Sequence, residues 1–140
     1  MTLPELLVAV FILVLAVTGI ILSYLQAMEL QEVAQATSIA TKAALSRMDQ
    51  IRATTYSQIK ATYNGVAFNV SGLNAKGVTY IDDSTPELLY VKVVVSWKQR
   101  SNRVYGDDKN LNGQADAGEH VDANGMLDSP VQLTTRVFEK

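Results

Sequence analysis

The first half of the chain shows two successive patterns of apolar and polar residues. No charged residue lies between Glu5 and Glu29, and the 23 residues Leu6–Met28 consist mainly of Leu, Val, Ile and Ala. A helix of that length is about 35 Å long, enough to cross the roughly 30 Å hydrocarbon core of a bilayer. The pattern predicts an apolar helix that has to be covered by lipid or by other apolar surfaces.

A cleavable signal peptide is the first alternative for this segment. Signal peptides have an apolar region of only about 7–15 residues, preceded by basic residues. Here the first basic residue of the chain is Lys42, and good helix formers continue after Tyr24 without a turn signal. The pattern therefore favours a helix that is retained in the mature protein.

From Met28 to about Thr54 the apolar residues become periodic. They recur at spacings of three or four, which places them on one face of a helix. No Gly or Pro lies between Ile20 and Asn64. We therefore predict one helix over residues 2–54, about 80 Å long, with an apolar part (1–28) and an amphipathic part (29–54). The predicted apolar face of the second part comprises Leu30, Val33, Ala36, Ala40, Ala44, Met48 and Ile51.

After Tyr56 the helical period is expected to stop, and the remaining pattern predicts strands. Short runs rich in β-branched and aromatic residues are separated by Gly, Asn, Asp and Pro. Residues 55–140 are therefore expected to form a small head domain, with the strongest two strands paired antiparallel and packed on the apolar face of the helix. The predicted strands are Val66–Val70, Val78–Ile81, Leu88–Lys98 and Val131–Phe138.

The predicted fold class is thus α+β, a long helix with a small antiparallel sheet and a long loop. In the third strand Leu89, Val91, Val93, Val95 and Trp97 share one face, and in the last strand Val131, Leu133, Thr135 and Val137 do so. A long connection, residues 99–130, separates these two strands. A loop of that length inside a compact domain needs something to order it.

The connection contains a calcium-loop pattern. The run Asp108–Glu119 matches the template D-x-[DN]-x-[DN]-G-x5-E at every fixed position, with Gly113 at the sharp turn. Oxygen donors at these positions suit a hard cation, so we predict a structural calcium ion. The predicted ligands are Asp108, Asn110, Asn112, Gln114 (through its carbonyl), Asp116 and Glu119.

A partial repeat of the same pattern follows. Asp122, Asn124 and Asp128 could complete the first site or form a second one. His120 is expected to be an exposed loop residue, because calcium prefers oxygen ligands. The alternative to a metal site is a solvated turn region rich in Asn, Gly and Asp.

Composition excludes several classes of function. A formal charge of −2 gives no reason to expect nucleic-acid binding. The absence of cysteine excludes disulfides and thiolate metal sites, and a single histidine argues against a Ser-His-Asp triad. The acidic residues cluster in one metal-like loop, which is better explained by calcium than by acid–base catalysis. The residues therefore do not predict an enzyme.

The first ten residues, Met1-Thr-Leu-Pro-Glu5-Leu-Leu-Val-Ala-Val10, resemble the mature N-terminus of type IV pilins and type II secretion pseudopilins. The C-terminal strands resemble, more loosely, those of accessory pilins and minor pseudopilins. The resemblance implies a pilin fold, removal of a leader by a prepilin peptidase and methylation of the new terminus. It also implies an inner-membrane assembly machinery as partner.

The resemblance further implies a helical filament of this chain outside the cell. Each helix would leave the membrane and pack among other helices, with Glu5 neutralising the Met1 ammonium of an adjacent copy. Within the same class, the chain could be a minor pilin or a periplasmic secretion pseudopilin that primes or tips another filament. From a different class, it could be a monomeric, single-span calcium-binding module anchored in the membrane.

Overall fold

The computed structural model describes residues 2–119 and 125–139 of the 140-residue chain. The chain divides into two units, residues 1–34 and residues 35–140. Helix α1 covers Leu3–Arg52 and helix α2 covers Tyr56–Tyr63. The strands are β1 (Ala67–Asn69), β2 (Ala75–Thr85), β3 (Leu88–Lys98), β4 (Val104–Tyr105) and β5 (Val131–Phe138). The coarse α+β prediction is confirmed.

The strands form one antiparallel sheet. Strand β2 pairs with β1 on one side and with β3 on the other. The far edge of β3 is shared, because β5 pairs with residues 88–95 and the short β4 pairs with Trp97 and Lys98. The predicted antiparallel pairing of the two strongest strands is therefore correct.

The hydrophobic core of the second unit lies between helix α1 and one face of the sheet. The predicted inward face of β3 is buried, as are Ala36, Ala40, Ala44, Met48 and Ile51 of the helix. The predicted apolar face of α1 was too long at its beginning, since Leu30 is 70% exposed. Leu30 and Val33 belong to the first unit, and the buried positions of α1 begin at Ala36.

Helix α2 corrects the expectation that helical structure stops after Tyr56. Ile59 is completely buried, and Tyr56 and Tyr63 pack against the same core. These three residues follow a spacing of three and four, so eight residues of helix place all of them on one side. The segment is too short for that period to stand out in the sequence.

The opposite face of the sheet has a smaller core. Val78 and Val94 are buried there beneath Leu127, with Tyr80 packed against them. Leu127 lies in residues 125–130, the described end of the connection between β3 and β5, and this end folds back over the sheet. The sequence pattern identified only the face of β3 that carries Leu89 and Trp97, and it did not predict that Leu127 covers the other face.

Candidate functional site

The acidic loop, residues 107–128, is closed at its base by contacts between its two ends. The Asp107 amide donates to the Asp128 carbonyl at 2.8 Å, and the Asp128 amide donates to the Asp107 carboxylate at 3.1 Å. The Lys92 ammonium of β3 forms an ion pair with the Asp128 carboxylate. The amide of Leu127 donates to the Tyr80 hydroxyl at 3.2 Å. These contacts hold the ends of the loop against the sheet.

Asp108, the first residue of the predicted calcium loop, is 2% exposed. Its Oδ1 accepts the Asn112 amide at 3.0 Å and its Oδ2 accepts the Gly113 amide at 2.7 Å. Burial raises the pKa of Asp108, and the two amide hydrogen bonds oppose that rise only in part. The Asp108 carboxylate thus connects the start of the loop to its turn at Asn112 and Gly113.

The Asp116 carboxylate accepts hydrogen bonds from the side chains of the two asparagines. Its Oδ2 accepts the Asn110 Nδ2 at 2.8 Å and the Asn112 Nδ2 at 2.5 Å. These side-chain hydrogen bonds lower the pKa of Asp116. The amide oxygens of the asparagines accept backbone N–H groups of the loop, from Asn112 and Gln114.

Glu119 closes the twelve-residue run. Its Oε1 accepts the Lys109 amide at 2.9 Å, beside the first ligand position, and its Oε2 accepts the Asp116 amide at 3.2 Å. The two ends of the predicted loop are therefore tied together by one carboxylate. Gly113 has φ +77°, the left-handed conformation that the sixth position of the template requires.

The structure brings five of the predicted ligands into one hydrogen-bonded loop: Asp108, Asn110, Asn112, Asp116 and Glu119. Gln114 is exposed, and its backbone amide belongs to the same network. Within residues 2–119 and 125–139, no three Asp, Glu, His or Cys side chains are arranged to hold a metal ion. Calcium binding therefore stays a prediction from the sequence template and the oxygen donors.

The partial repeat is described only at its end. Asp122 and Asn124, and also His120, lie outside the described residues. Asp128 is described, and its carboxylate contacts Lys92. Neither Lys92 nor Leu127 was singled out in the sequence, because their roles depend on the loop folding over β3. The apolar pair Met126 and Leu127, between Gly125 and Asp128, was the signal available in the sequence.

The first unit contains the second candidate site, the apolar segment of α1. An 18-residue window of this helix has a mean hydropathy of 3.0, and none of it is buried in the structure. Its length and composition are compatible with a transmembrane helix, which could anchor the protein in a membrane. Sixteen large apolar side chains between Leu6 and Met28 are exposed.

Glu5 lies in the first turn of α1, where its carboxylate makes the carboxylate-to-backbone half of a capping box. Thr2 precedes the first helical residue, and the Glu5 carboxylate accepts the Thr2 amide at 3.3 Å. The Glu5 and Leu6 amides donate to the Thr2 carbonyl. Met1, the predicted partner of Glu5 in an assembly, lies outside the described residues. The Thr-x-x-Glu spacing was a sequence signal for this cap.

Comparison with protein families, with curated proteins and with solved structures finds no match to this chain.

Proposed function

We propose that this chain is the structural subunit of an extracellular filament of the type IV pilus kind. The observation that supports the proposal best is the row of exposed apolar side chains along residues 6–28. Fully burying one such side chain contributes about 1.5–3 kcal/mol. Leaving sixteen of them in water would therefore cost on the order of 20 kcal/mol or more.

That cost exceeds the roughly 5–15 kcal/mol by which a domain is usually stable. Lipid can remove it before assembly, and the apolar segments of other copies can remove it afterwards. The resemblance of the first ten residues to pilins favours the second environment as the final one. The proposed route is therefore from the inner membrane to a filament outside the cell, with a prepilin peptidase and an assembly machinery as partners.

Glu5 has a specific role in this proposal. A carboxylate among apolar helices is costly unless a cation neutralises it. The Met1 ammonium of an adjacent copy is the proposed cation. The hydrogen bond from the Thr2 amide directs the Glu5 carboxylate back toward the start of its own helix, where a neighbouring terminus would have to approach.

The acidic loop has a supporting role in the proposal. Asp108, Asp116 and Glu119, together with the amide oxygens of Asn110 and Asn112, offer the hard donors that calcium prefers. A bound ion would replace hydrogen bonds that now connect these side chains and would hold the loop in one conformation. We assign it a structural role in the second unit and no part in catalysis.

Electron microscopy of material sheared from expressing cells tests the proposed function. Uniform filaments in which mass spectrometry finds this chain as the main component support the major-subunit role. Filaments that contain it only in trace amounts would replace that role with the minor pilin or pseudopilin. A chain found only as single copies in the membrane would contradict assembly and favour the anchored calcium-binding module.

A further inference from the structure

A groove on the second unit is lined by two positively charged side chains that form no ion pair with an acidic residue in the described part of the chain. It has a volume of about 540 Å³ and lies between residues 39–50 of α1 and residues 68–71. Ile39, Ala43 and Phe68 contribute apolar surface, and Lys42 and Arg47 contribute positive charge. A ligand that fits this groove must therefore present an apolar group next to an anionic one.

Arg47 is held in place by aromatic rings. Its guanidinium carbon lies 4.6 Å from the centre of the Tyr63 ring and 5.0 Å from that of Phe68. Its Nη1 donates to the Gln50 side chain at 3.3 Å, whereas its Nε is buried without a hydrogen-bond partner. Burial lowers the pKa of Arg47. An arriving carboxylate would offset this loss of hydration.

Among residues 2–119 and 125–139, no carboxylate lies within 4 Å of the Lys42 or Arg47 charges. Lys42 is exposed and Arg47 is half-buried. The groove thus combines the hydrogen-bond donors of Lys42 and Arg47 with an adjacent apolar surface. Inorganic anions would satisfy only the first of these features.

We propose that the helical segment Leu25–Glu29 of a second copy of this chain occupies the groove. Leu25 and Glu29 are four residues apart and so lie on the same face of a helix. Leu25 is 57% exposed and would contact the apolar surface, while the Glu29 carboxylate would lie between Lys42 and Arg47. This inference rests on the proposed function, since it requires copies that pack side by side.

Charge complementarity selects this segment. Glu29 is the first charged residue after the apolar run, is exposed, and forms no ion pair with the described residues. If the apolar runs of neighbouring copies pack together, the carboxylates that follow them must lie close to another copy. Lys42 is the first positive charge that such a carboxylate could meet along a neighbouring helix.

Carbodiimide cross-linking of assembled wild-type filaments tests the contact directly, because this reagent joins a carboxylate to an amine only at contact distance. Copies labelled with ¹⁴N and ¹⁵N are mixed, and peptides are mapped by mass spectrometry. We expect an isopeptide bond between Glu29 of one copy and Lys42 of another. The Lys60–Asp83 pair, 2.6 Å apart within one chain, is the positive control.

The outcomes separate the two proposals. Filaments in which Lys60 and Asp83 are joined but Glu29 and Lys42 are not would overturn the groove contact and leave the filament intact. If the chain forms no filament, both proposals fail. A linkage between Glu29 and Lys42 within a single isotope label only would also overturn the contact between copies.

Charge reversal gives a second test. We expect Lys42→Glu and Glu29→Lys each to reduce filament yield at least about tenfold, because like charges then face each other. The double variant Glu29→Lys with Lys42→Glu restores opposite charges at every contact and should recover the yield to within about twofold. Lys98→Glu, the same change at a lysine outside the groove that forms no ion pair with the described residues, is the matched control. A double variant no better than either single variant would overturn the contact, as would an equal loss in the control.

Discussion

Gly113, the sixth residue of the predicted calcium loop Asp108–Glu119, depends on its missing side chain in two ways. Its φ of +77° is a conformation that other residues adopt at a cost, and a Cβ there would overlap the Cβ of Ala67 in β1. Gly118 has a similar φ of +95° but open space around it. The two glycines therefore separate backbone strain from steric overlap.

We predict that Gly113→Ala lowers the free energy of unfolding by about 2–4 kcal/mol, since strain and overlap add. Gly118→Ala should cost only about 1 kcal/mol, from strain alone. Urea denaturation of the full chain in detergent measures both. Equal losses in the two variants would show that the loop does not pack on β1 as described.

The ion pair between Lys60 and Asp83 predicts a direction of pH dependence. The hydrogen bond from the Lys60 ammonium is the main cause that lowers the pKa of Asp83 below its ordinary value. Stabilisation from a depressed carboxylate pKa is present above the unfolded-state value and is lost as the pH falls through the folded-state value. Lys60→Met should therefore raise the pKa of Asp83, which NMR of its carboxyl carbon would measure. A pKa that stays low in the variant would assign the effect to another group.

At this scale the sequence predicted much of the loop and little of its surroundings. The spacing of the template groups Asp108, Gly113 and Glu119 in one loop, and the structure connects that loop by hydrogen bonds from the amides of Gly113 and Lys109. The role of these residues in calcium binding stays a prediction. The template could not indicate Lys92 or Leu127, whose contacts form only when the connection folds onto the sheet.

Small residues of helix α1 lie in the core that the helix shares with the sheet. Ala40 and Ala44 are completely buried. We predict that Ala44→Leu lowers the free energy of unfolding by about 1–3 kcal/mol, because the larger side chain must displace its neighbours. Ala61→Leu on the exposed side of α2 is the matched control and should change it by less than about 0.5 kcal/mol. Thermal or urea unfolding compares the two, and similar values would place the helix elsewhere.

Helices and strands with long, regular patterns of apolar residues were predicted more accurately than short or irregular ones. Strand β3 was predicted with its observed bounds, because every second residue from Leu89 to Trp97 is apolar. Strand β2 is longer than predicted, since its end is a polar hairpin arm, Asp82 to Thr85, that pairs with β3 without burial. Strand β4 is only two residues long and depends on the stacking of Tyr105 on Trp97, with ring centres 5.3 Å apart. No local pattern reveals such a contact.

For the whole molecule, the first prediction concerns calcium. A ligand that binds only the folded state at about 100 times its Kd adds roughly 2.7 kcal/mol of stability. We therefore expect saturating calcium to raise the Tm of the full chain by at least about 5 °C over EGTA. Glu119→Gln should remove most of that response, and magnesium should not replace calcium. An unchanged Tm in calcium and in EGTA would contradict the metal site.

The charge of Glu5 is expected to be required for filament assembly. Glu5→Gln keeps the shape of the side chain and its ability to accept the Thr2 amide, but it removes the charge. We expect filament yield to fall at least about tenfold, because the neighbouring ammonium loses its counterion in an apolar environment. Glu139→Gln, an exposed position in the second unit, is the control. An intact yield with Glu5→Gln would remove the proposed role of the carboxylate and leave it as a helix cap.

We propose that other copies of the same helix cover the apolar segment of α1. Sedimentation of the purified full-length chain during gradual removal of detergent is the decisive experiment. We expect single copies in detergent to convert into long filaments, visible by electron microscopy in the pelleted fraction. Single copies that pass unchanged from detergent into lipid vesicles, with no filament at any concentration, would contradict it.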